Sequence, residues 1–348
     1  MQSSPEMVGH SDPVRVAVAG ATGYAGAGCV ALLEAHPEVA LVAVASRSQA
    51  GRTHAEAYPG SSCELVLVES INAEDCDVVI TASTAGAAAR EAGAWLSRGA
   101  LVIDVSADFR LRSEAEFRQW YGFEHPAPEL LSQAVLALPE LLPEAIQAAD
   151  LLALPGCFST AAVLACGPAA LHRLVEPEVV VDGKTGISGA GRSASADYLF
   201  TELNESVKPY AVAGHRHSPE MKQALSDLQE AEFQVTFVPH LVPMTRGILV
   251  SCYLRPRPGV TLEQLRGVYR DHYREQPFVR LAEVPVPTKL AWNTNLTWIT
   301  LEAQGPYVVI SAVLDNLGRG ASAQAVQVLN LRLGLDPRAG LTGAPQWP

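Results

Sequence analysis

Charge is scarce in this chain: Asp, Glu, Lys and Arg make up only 18% of the residues, against 48% hydrophobic. That balance excludes an intrinsically disordered protein, which lacks the apolar surface to offset chain entropy. Basic residues are scarcer still, 25 Lys and Arg against 37 Asp and Glu, for a net charge of −12. Such a field argues against nucleic acid and anionic membrane as partners, and an anionic substrate would need local cations. Cysteine is rare and scattered, at Cys29, Cys63, Cys76, Cys157, Cys166 and Cys252. No C-x-x-C pair occurs, so neither a zinc site nor a disulfide framework is expected, and a reducing, cytoplasmic compartment fits. No apolar stretch approaches the ~18 uninterrupted residues of a membrane span. Residues 1–13 lack the basic start and apolar core of a signal peptide and read as a flexible tail. There is no internal repeat and no low-complexity linker. The 348 residues predict two domains or one large one.

What is present begins with Val14-Arg15-Val16-Ala17-Val18-Ala19, a short buried strand running into Gly20-Ala21-Thr22-Gly23-Tyr24-Ala25-Gly26. A helical pattern over 27–36 follows, stopped by Pro37, and then a second apolar run over 39–45. Strand, glycine turn, helix, strand is a βαβ unit, and its G-x-x-G-x-x-G spacing is a variant of the dinucleotide fingerprint. Gly20 permits a tight turn, Gly23 lets the backbone approach a pyrophosphate, and Gly26 lets the helix pack close to the strand. Thr22 and Tyr24 belong to the same cradle. An acidic residue after the second strand would bind the ribose of NAD. The chain has Ser46-Arg47-Ser48 instead, a cation between two hydroxyls that suits a 2′-phosphate, so NADP(H) is the expected cofactor. The alternation continues with a strand over 76–82, a turn holding Ser83, Thr84 and Gly86 on the nicotinamide side, a helix over 87–98 and a strand over 100–104. Beyond it, Asp104-Val105-Ser106-Ala107-Asp108-Phe109-Arg110 offers Ser106 and Arg110 to a substrate phosphate. The alternative is a salt-bridged loop corner. Residues 112–149 read as mixed, with loops near the cleft.

The chain then changes character at Pro155-Gly156-Cys157-Phe158-Ser159-Thr160. Ser159 or Thr160 can cap a helix that the Ala-rich run after them propagates. Cys157 would sit beside the N-terminus of that helix, where an anion is favoured. A thiol of pKa ~8.5 is mostly protonated at pH 7, and one lowered to ~6 is mostly thiolate. Cys157 is therefore read as a nucleophile, against the plain alternative of a small buried hydrophobe. A strand over 179–182 enters a Gly-rich loop with Ser188, Gly189 and Arg192; it lacks the Walker spacing and suits nicotinamide or an anionic substrate. In Gly214-His215-Arg216-His217-Ser218-Pro219-Glu220, Ser218 looks like a cap and Pro219 like the first residue of a helix over 220–229, with both histidines in the loop before it. A histidine paired with Cys157 makes a nucleophile–base couple. Two histidines also suit a metal, but no third ligand is evident and none is expected. Strands over 233–240, 246–254, 278–281, 297–302 and 307–314, with a helix over 261–275, predict a mostly antiparallel sheet with helices on one face. Asp315-Asn316-Leu317-Gly318 leads into a last helix over 321–333, and its polar start, with Asn316, is expected near the cofactor.

Taken together and in this order, these motifs resemble those of the N-acetyl-gamma-glutamyl-phosphate reductases of arginine biosynthesis, and more broadly the aspartate-semialdehyde dehydrogenase superfamily. The resemblance covers residues 14–335. It rests on the glycine turn, Ser106 to Arg110, Pro155-Gly156-Cys157, Ser188-Gly189-Ala190-Gly191-Arg192, His215 to Glu220, and Pro239-His240-Leu241 through Thr245-Arg246-Gly247. Two departures are Phe158-Ser159, where the family often has Tyr-Pro, and Asp182-Gly183-Lys184-Thr185, where it often has Asp-Ser-Lys-Ser. The implied fold is α/β: a Rossmann-type NADP-binding domain over 14–156 plus 317–348, and an α+β catalytic and dimerisation domain over 157–316. It is semialdehyde dehydrogenase-like or glyceraldehyde-3-phosphate dehydrogenase-like. The implied reaction is NADPH-dependent reduction of N-acetyl-L-glutamyl 5-phosphate through a Cys157 thioester, giving the semialdehyde and inorganic phosphate. His217, favoured over His215, assists proton transfer. Arg110, Arg192 and Arg216, with Ser106 and His215, would hold the acyl phosphate substrate. A homodimer or homotetramer is implied. A carrier-linked aminoadipyl-phosphate reductase of lysine biosynthesis is the alternative, and a non-catalytic NADP-binding regulator the remote one.

Overall fold

The computed structural model describes residues 13–345; the expected amino-terminal tail lies outside them except for Pro13. Seven short strands, β1 (Val14–Ala19), β2 (Val39–Ala45), β3 (Leu67–Val68), β4 (Val78–Thr81), β5 (Leu101–Asp104), β6 (Val135–Leu136) and β7 (Leu151–Ala153), form one sheet in the order β3-β2-β1-β4-β5-β7-β6. Every pairing in it is parallel. The central strands are buried on both faces, which is why they read as continuous apolar runs. Helices α1 (Tyr24–Glu34), α2 (His54–Ala57), α3 (Ala87–Ser97), α4 (Glu114–Tyr121) and α5 (Pro143–Ala148) connect the strands. The order reverses between β1 and β4, so the carboxyl ends of these two strands flank a crevice.

The second sheet has β8 (Val175–Thr185), β9 (Lys208–Pro209), β10 (Gln234–Leu241), β11 (Ile248–Pro256), β12 (Val279–Leu281), β13 (Thr297–Gln304) and β14 (Tyr307–Leu314), in the order β12-β13-β14-β11-β8-β10-β9. Four of its pairings are antiparallel and two, β10 with β8 and β12 with β13, are parallel. Helices α6 (Cys157–Leu171), α8 (His217–Gln229) and α9 (Leu262–Tyr273) pack against it; α7 (Phe200–Leu203) is a single turn in the long β8–β9 connection. The chain ends by crossing back: α10 (Ala323–Leu333) packs against α5 and α1.

Helix α6 is the hub. From Phe158 through Ala170 every residue in it is buried. Pro168 lies inside the helix and lacks the N–H that would bond the Leu164 carbonyl. The Tyr273 hydroxyl of α9 donates to that carbonyl at 2.6 Å, and the Tyr269 hydroxyl donates to Ala165 O at 2.5 Å. The first supplies the donor that proline withholds, and the second adds one on the next carbonyl.

Several local expectations are corrected. Helix α1 starts at Tyr24, not 27, because Gly23 is already its N-cap. Helix α6 starts at Cys157 itself, with Gly156 as N-cap, so Ser159 and Thr160 are not caps. Their hydroxyls donate instead to His217 O at 3.4 Å and to Gln324 Oε1 at 3.1 Å. Helix α8 starts at His217, since Arg216 is already in the right-handed helical region; Ser218 and Pro219 lie inside its first turn. Proline is tolerated there because the first N–H groups have no intrahelical partner. The stretch over 112–149 holds α4, β6 and α5 rather than loops alone, β7 follows it, and β8 extends from Val175 to Thr185.

Candidate active site

Two cavities gather most of the expected site residues. The first, about 270 Å³, sits at the carboxyl ends of β1, β2 and β4 and is lined by Gly20, Thr22, Gly23, Ser46, Arg47, Ser48 and Ser83, with Glu69 and Glu91. Gly20 has φ +75°, and a Cβ there would fall 2.6 Å from Ala82 O. At Gly26 a Cβ would fall 2.2 Å from Gly20 O, so the helix meets its own turn at backbone distance. Gly23 differs: a Cβ there would meet only Gly20 O, at 3.6 Å, so this position is open at the N-terminus of α1. The Thr22 and Ser46 hydroxyls share a hydrogen bond of 2.8 Å. Arg47 points into the crevice with its Nη2 on Glu91 Oε1 at 2.7 Å. An open helix N-terminus, a hydroxyl pair and a cation fit a dinucleotide phosphate chain. Gly86, at φ +81°, is the N-cap of α3 and donates its N–H to Asp108 Oδ1 at 2.6 Å. Tyr24 lines a separate cavity with Arg246 and Asn295.

The second cavity, about 110 Å³, is lined by Cys157, Phe158, Thr185, Gly189, Ala190, Tyr198, Tyr210, His215, Arg216, His217 and Leu241. Cys157 is half-buried, while the other five cysteines are buried. The His217 ring lies against the residue before the thiol: a Cβ on Gly156 would fall 2.2 Å from Nε2. His217 Nδ1 is buried with no hydrogen-bond partner among the described residues. His215 Nδ1 accepts from the His217 N–H at 3.1 Å and so closes the start of α8. Fully buried Glu220 ties the two helices together, accepting from Gly156 N at 2.8 Å through Oε2. The N-terminus of α6 is therefore capped from α8 and needs no hydroxyl of its own.

Electrostatics at the site is set by burial. Burial pushes the Cys157 thiol up to about 11, against the lowering pull of Arg110, the Phe158 N–H and Arg216. Burial likewise holds His217 well below its ordinary value, helped by His215, Arg110 and Arg216, and brings His215 down to about 4. Thiol and imidazole are thus both neutral at pH 7, and the helix N-terminus alone does not ionise Cys157 as its position in the sequence suggests.

Not every expected substrate ligand lines this cavity. Arg110 lies beneath it, donating to Leu154 O at 2.8 Å, Val105 O at 3.0 Å and Glu220 Oε1 at 3.2 Å. Ser106 is buried, its hydroxyl accepting from Asp108 N at 3.3 Å. Asp104, also buried, accepts from Ser106 N and Phe109 N, and burial together with neighbouring Asp108 raises it to about 7. Arg216 lines the cavity, is exposed, and makes no ion pair among the described residues. Arg192 reaches the other way: its Nη1 donates to Thr22 O at 3.1 Å and its guanidinium lies over the Tyr58 ring. The loop over 187–192 thereby runs from the thiol cavity at Gly189 to the glycine turn. Asn316 braces it, donating to Ser188 Oγ at 3.0 Å and accepting from Gly247 N at 2.8 Å. The cavity-lining Tyr198 and Tyr210, and the pinning carboxylate of Glu220, were given no role by sequence. Only Glu220 had a signal, lying within the His215–Glu220 motif.

A parallel nucleotide-type sheet joined to a mixed sheet, with a thiol and an imidazole at the junction, defines a two-lobed nicotinamide-dependent enzyme of the semialdehyde dehydrogenase type. Residues 15–149 match the model of the semialdehyde dehydrogenase NAD binding domain, and residues 157–316 that of the semialdehyde dehydrogenase dimerisation domain. Among solved structures, aspartate semialdehyde dehydrogenase with NADP from Candida albicans superposes with a TM-score of 0.71 at 16% identity, covering 92% of this chain and 98% of that one. Aspartate semialdehyde dehydrogenase II from Vibrio cholerae gives a TM-score of 0.72 at 18% identity, over 92% and 98%. Sequence relatives are nearer. The N-acetyl-gamma-glutamyl-phosphate reductase of Dehalococcoides mccartyi is 42% identical over 94% of this chain and 97% of its own length. Those of Heliobacterium modesticaldum and Symbiobacterium thermophilum are 40% and 42% identical over 96% of this chain and 100% and 99% of their own. The chain belongs to the N-acetyl-gamma-glutamyl-phosphate reductase family. No helix among the described residues is long and apolar enough to cross a membrane.

Proposed function

We propose that this protein reduces N-acetyl-L-glutamyl 5-phosphate to N-acetyl-L-glutamate 5-semialdehyde and phosphate with NADPH, as the names of its relatives indicate. The observation that carries the reading is the placement of Cys157 and His217 on facing first turns of α6 and α8, sharing one cavity and pinned through Gly156. A division of labour follows: residues 14–156 with 317–348 hold the dinucleotide, and 157–316 carry catalysis and dimerisation. The packing of α10 on α1 and α5 supports that division. A homodimer or homotetramer in the cytoplasm fits the dimerisation domain and the six free thiols.

Both groups rest neutral, so His217 acts as a general base, taking the sulfur proton only as attack on the substrate begins. Sulfur then attacks the acyl carbon, a C–S bond forms, and the C–O bond to phosphate breaks; phosphate leaves, taking a proton from water. The chemistry that a reduced nicotinamide held at the glycine turn would supply is a hydride for the thioester carbon. His217 returns its proton to sulfur as the C–S bond breaks and the aldehyde is released. Arg216 is placed to hold an anionic group of the substrate, and Arg110 works from below by favouring the sulfur anion. Gly20, Thr22, Gly23, Ser46, Arg47, Ser48 and Ser83 would hold the dinucleotide, with Arg47 on the 2′-phosphate. Its Glu91 partner is no obstacle, since an exposed pair is worth only about 0–1 kcal/mol.

The test is the reverse reaction: N-acetylglutamate semialdehyde, phosphate and NADP+, followed by absorbance of the reduced cofactor. Turnover that Cys157→Ser abolishes supports the reading. Turnover surviving that change sinks the thioester, and activity confined to a carrier-linked aminoadipate semialdehyde sinks the substrate.

A further inference from the structure

Between β14 and α10 the chain makes a wide turn, Gly318–Ser322, in which Ser322 N reaches back five residues to Leu317 O at 3.1 Å. Such π-turns are rare and gather at functional sites. At its centre a Cβ on Gly320 would fall 2.6 Å from the Cβ of Cys157 and 3.3 Å from its Cα. The turn therefore lies directly against the nucleophile, on glycine backbone. Four residues on, Gln324 takes the Thr160 hydroxyl of α6 at 3.1 Å and donates to Ala137 O at 3.0 Å.

The residue beside Gly320 is Arg319, the largest fully buried side chain among the described residues. Its Nη2 meets Glu140 Oε2 at 2.5 Å, and both side chains are fully buried. Gln327 completes the cluster: it donates to Glu140 Oε1 at 2.9 Å and accepts from Asn295 Nδ2 at 2.6 Å and from Arg319 Nη1. The Glu140 backbone carbonyl faces His272 Nε2 of α9 at 3.0 Å. The cluster thus joins the β6–α5 connection, the π-turn, α10, α9 and the segment that leads into β13. A buried ion pair is poor stabiliser: apolar residues of similar volume often do as well or better. What this one fixes is direction, since a planar guanidinium held at two points sets the path of the chain through Gly320.

We propose that the Arg319–Glu140 pair is a positioning device for Cys157, locking the π-turn so that Gly320 sets the direction of the thiol into its cavity. The proposal rests on Cys157 as the nucleophile. Neither residue touches the cavity; both act through Gly320.

The test compares the wild type, Arg319→Lys, and the charge-free double variant Arg319→Met with Glu140→Gln. Three quantities are read on each: the kcat-against-KM split, NADPH affinity by fluorescence, and the rate of Cys157 carboxamidomethylation across pH. In a double variant that melts cooperatively, kcat falls about 10- to 100-fold, the scale of a small misplacement. KM and NADPH affinity hold, the alkylation profile shifts, and Arg319→Lys recovers part of the loss. A folded double variant with wild-type kcat and alkylation profile overturns the proposal. So does one that fails to fold, because the pair is then a pillar of the lobe junction and not a guide for sulfur. If Cys157→Ser retains turnover, the nucleophile reading fails by itself, while the alkylation profile still reports whether this pair directs the residue 157 side chain.

Discussion

Gly156 has no side chain because an imidazole occupies the space. With His217 Nε2 only 2.2 Å from where a Cβ would stand, Gly156→Ala has to push the ring away. The expected outcome is a fall in kcat of about 100-fold or more, the scale of lost acid–base catalysis, with NADPH affinity unchanged. Steady-state kinetics beside a cofactor titration checks it; an unaltered kcat would show that the ring is not the proton carrier. At the other cavity, Arg47→Ala is expected to weaken NADPH far more than NADH, since only the former carries the 2′-phosphate. Dissociation constants for the two cofactors decide this, and equal weakening removes the role. Glu91→Gln, which frees Arg47 of its partner, should tighten NADPH slightly and leave NADH alone.

At the scale of elements, α6 depends on groups outside itself. Tyr273→Phe leaves the Leu164 carbonyl, freed by Pro168, without its donor in a buried setting. A loss of about 1–3 kcal/mol in urea unfolding is expected, the cost of an unpaired buried acceptor; a midpoint equal to wild type would mean the carbonyl finds another partner. The same dependence explains what the sequence let us read. The first βαβ unit was legible because strand, glycine turn and helix are contiguous and each carries its own signal. The thiol and the histidines were legible as chemistry. The start of α6 is not legible, because its cap comes from Glu220, 64 residues away, and no local pattern encodes that. Helix α8 began earlier than Ser218 suggests because the His215 ring accepts the His217 N–H. Strand β7 has three buried residues, too few for periodicity to show. Nothing local marks Arg319, between two glycines, as buried, because its partner Glu140 lies 179 residues away.

For the whole molecule, acid–base behaviour follows from the buried carboxylates under the site. Asp104, raised to about 7 by burial and by Asp108, keeps its proton in the folded state where the unfolded chain, at ~3.9, has lost it. The folded state then binds more protons between those values. The contribution of Asp104 is fully present below pH ~3.9 and is lost as pH rises to about 7, then levels off. Asp104→Asn removes that titration, so its stability relative to wild type should climb across this window and then stay constant. Thermal midpoints measured from about pH 4 to pH 8 check it, and parallel curves would refute it.

The uneven exposure of the six sulfurs has a practical consequence. Only one is within reach of solvent while the fold is intact. A maleimide dye added to native material should therefore stop at a single label per chain, and all six should label in denaturant. A ratio of one to six between the two endpoints then marks a fully folded preparation, and the ratio rises as unfolded molecules expose the other five sulfurs.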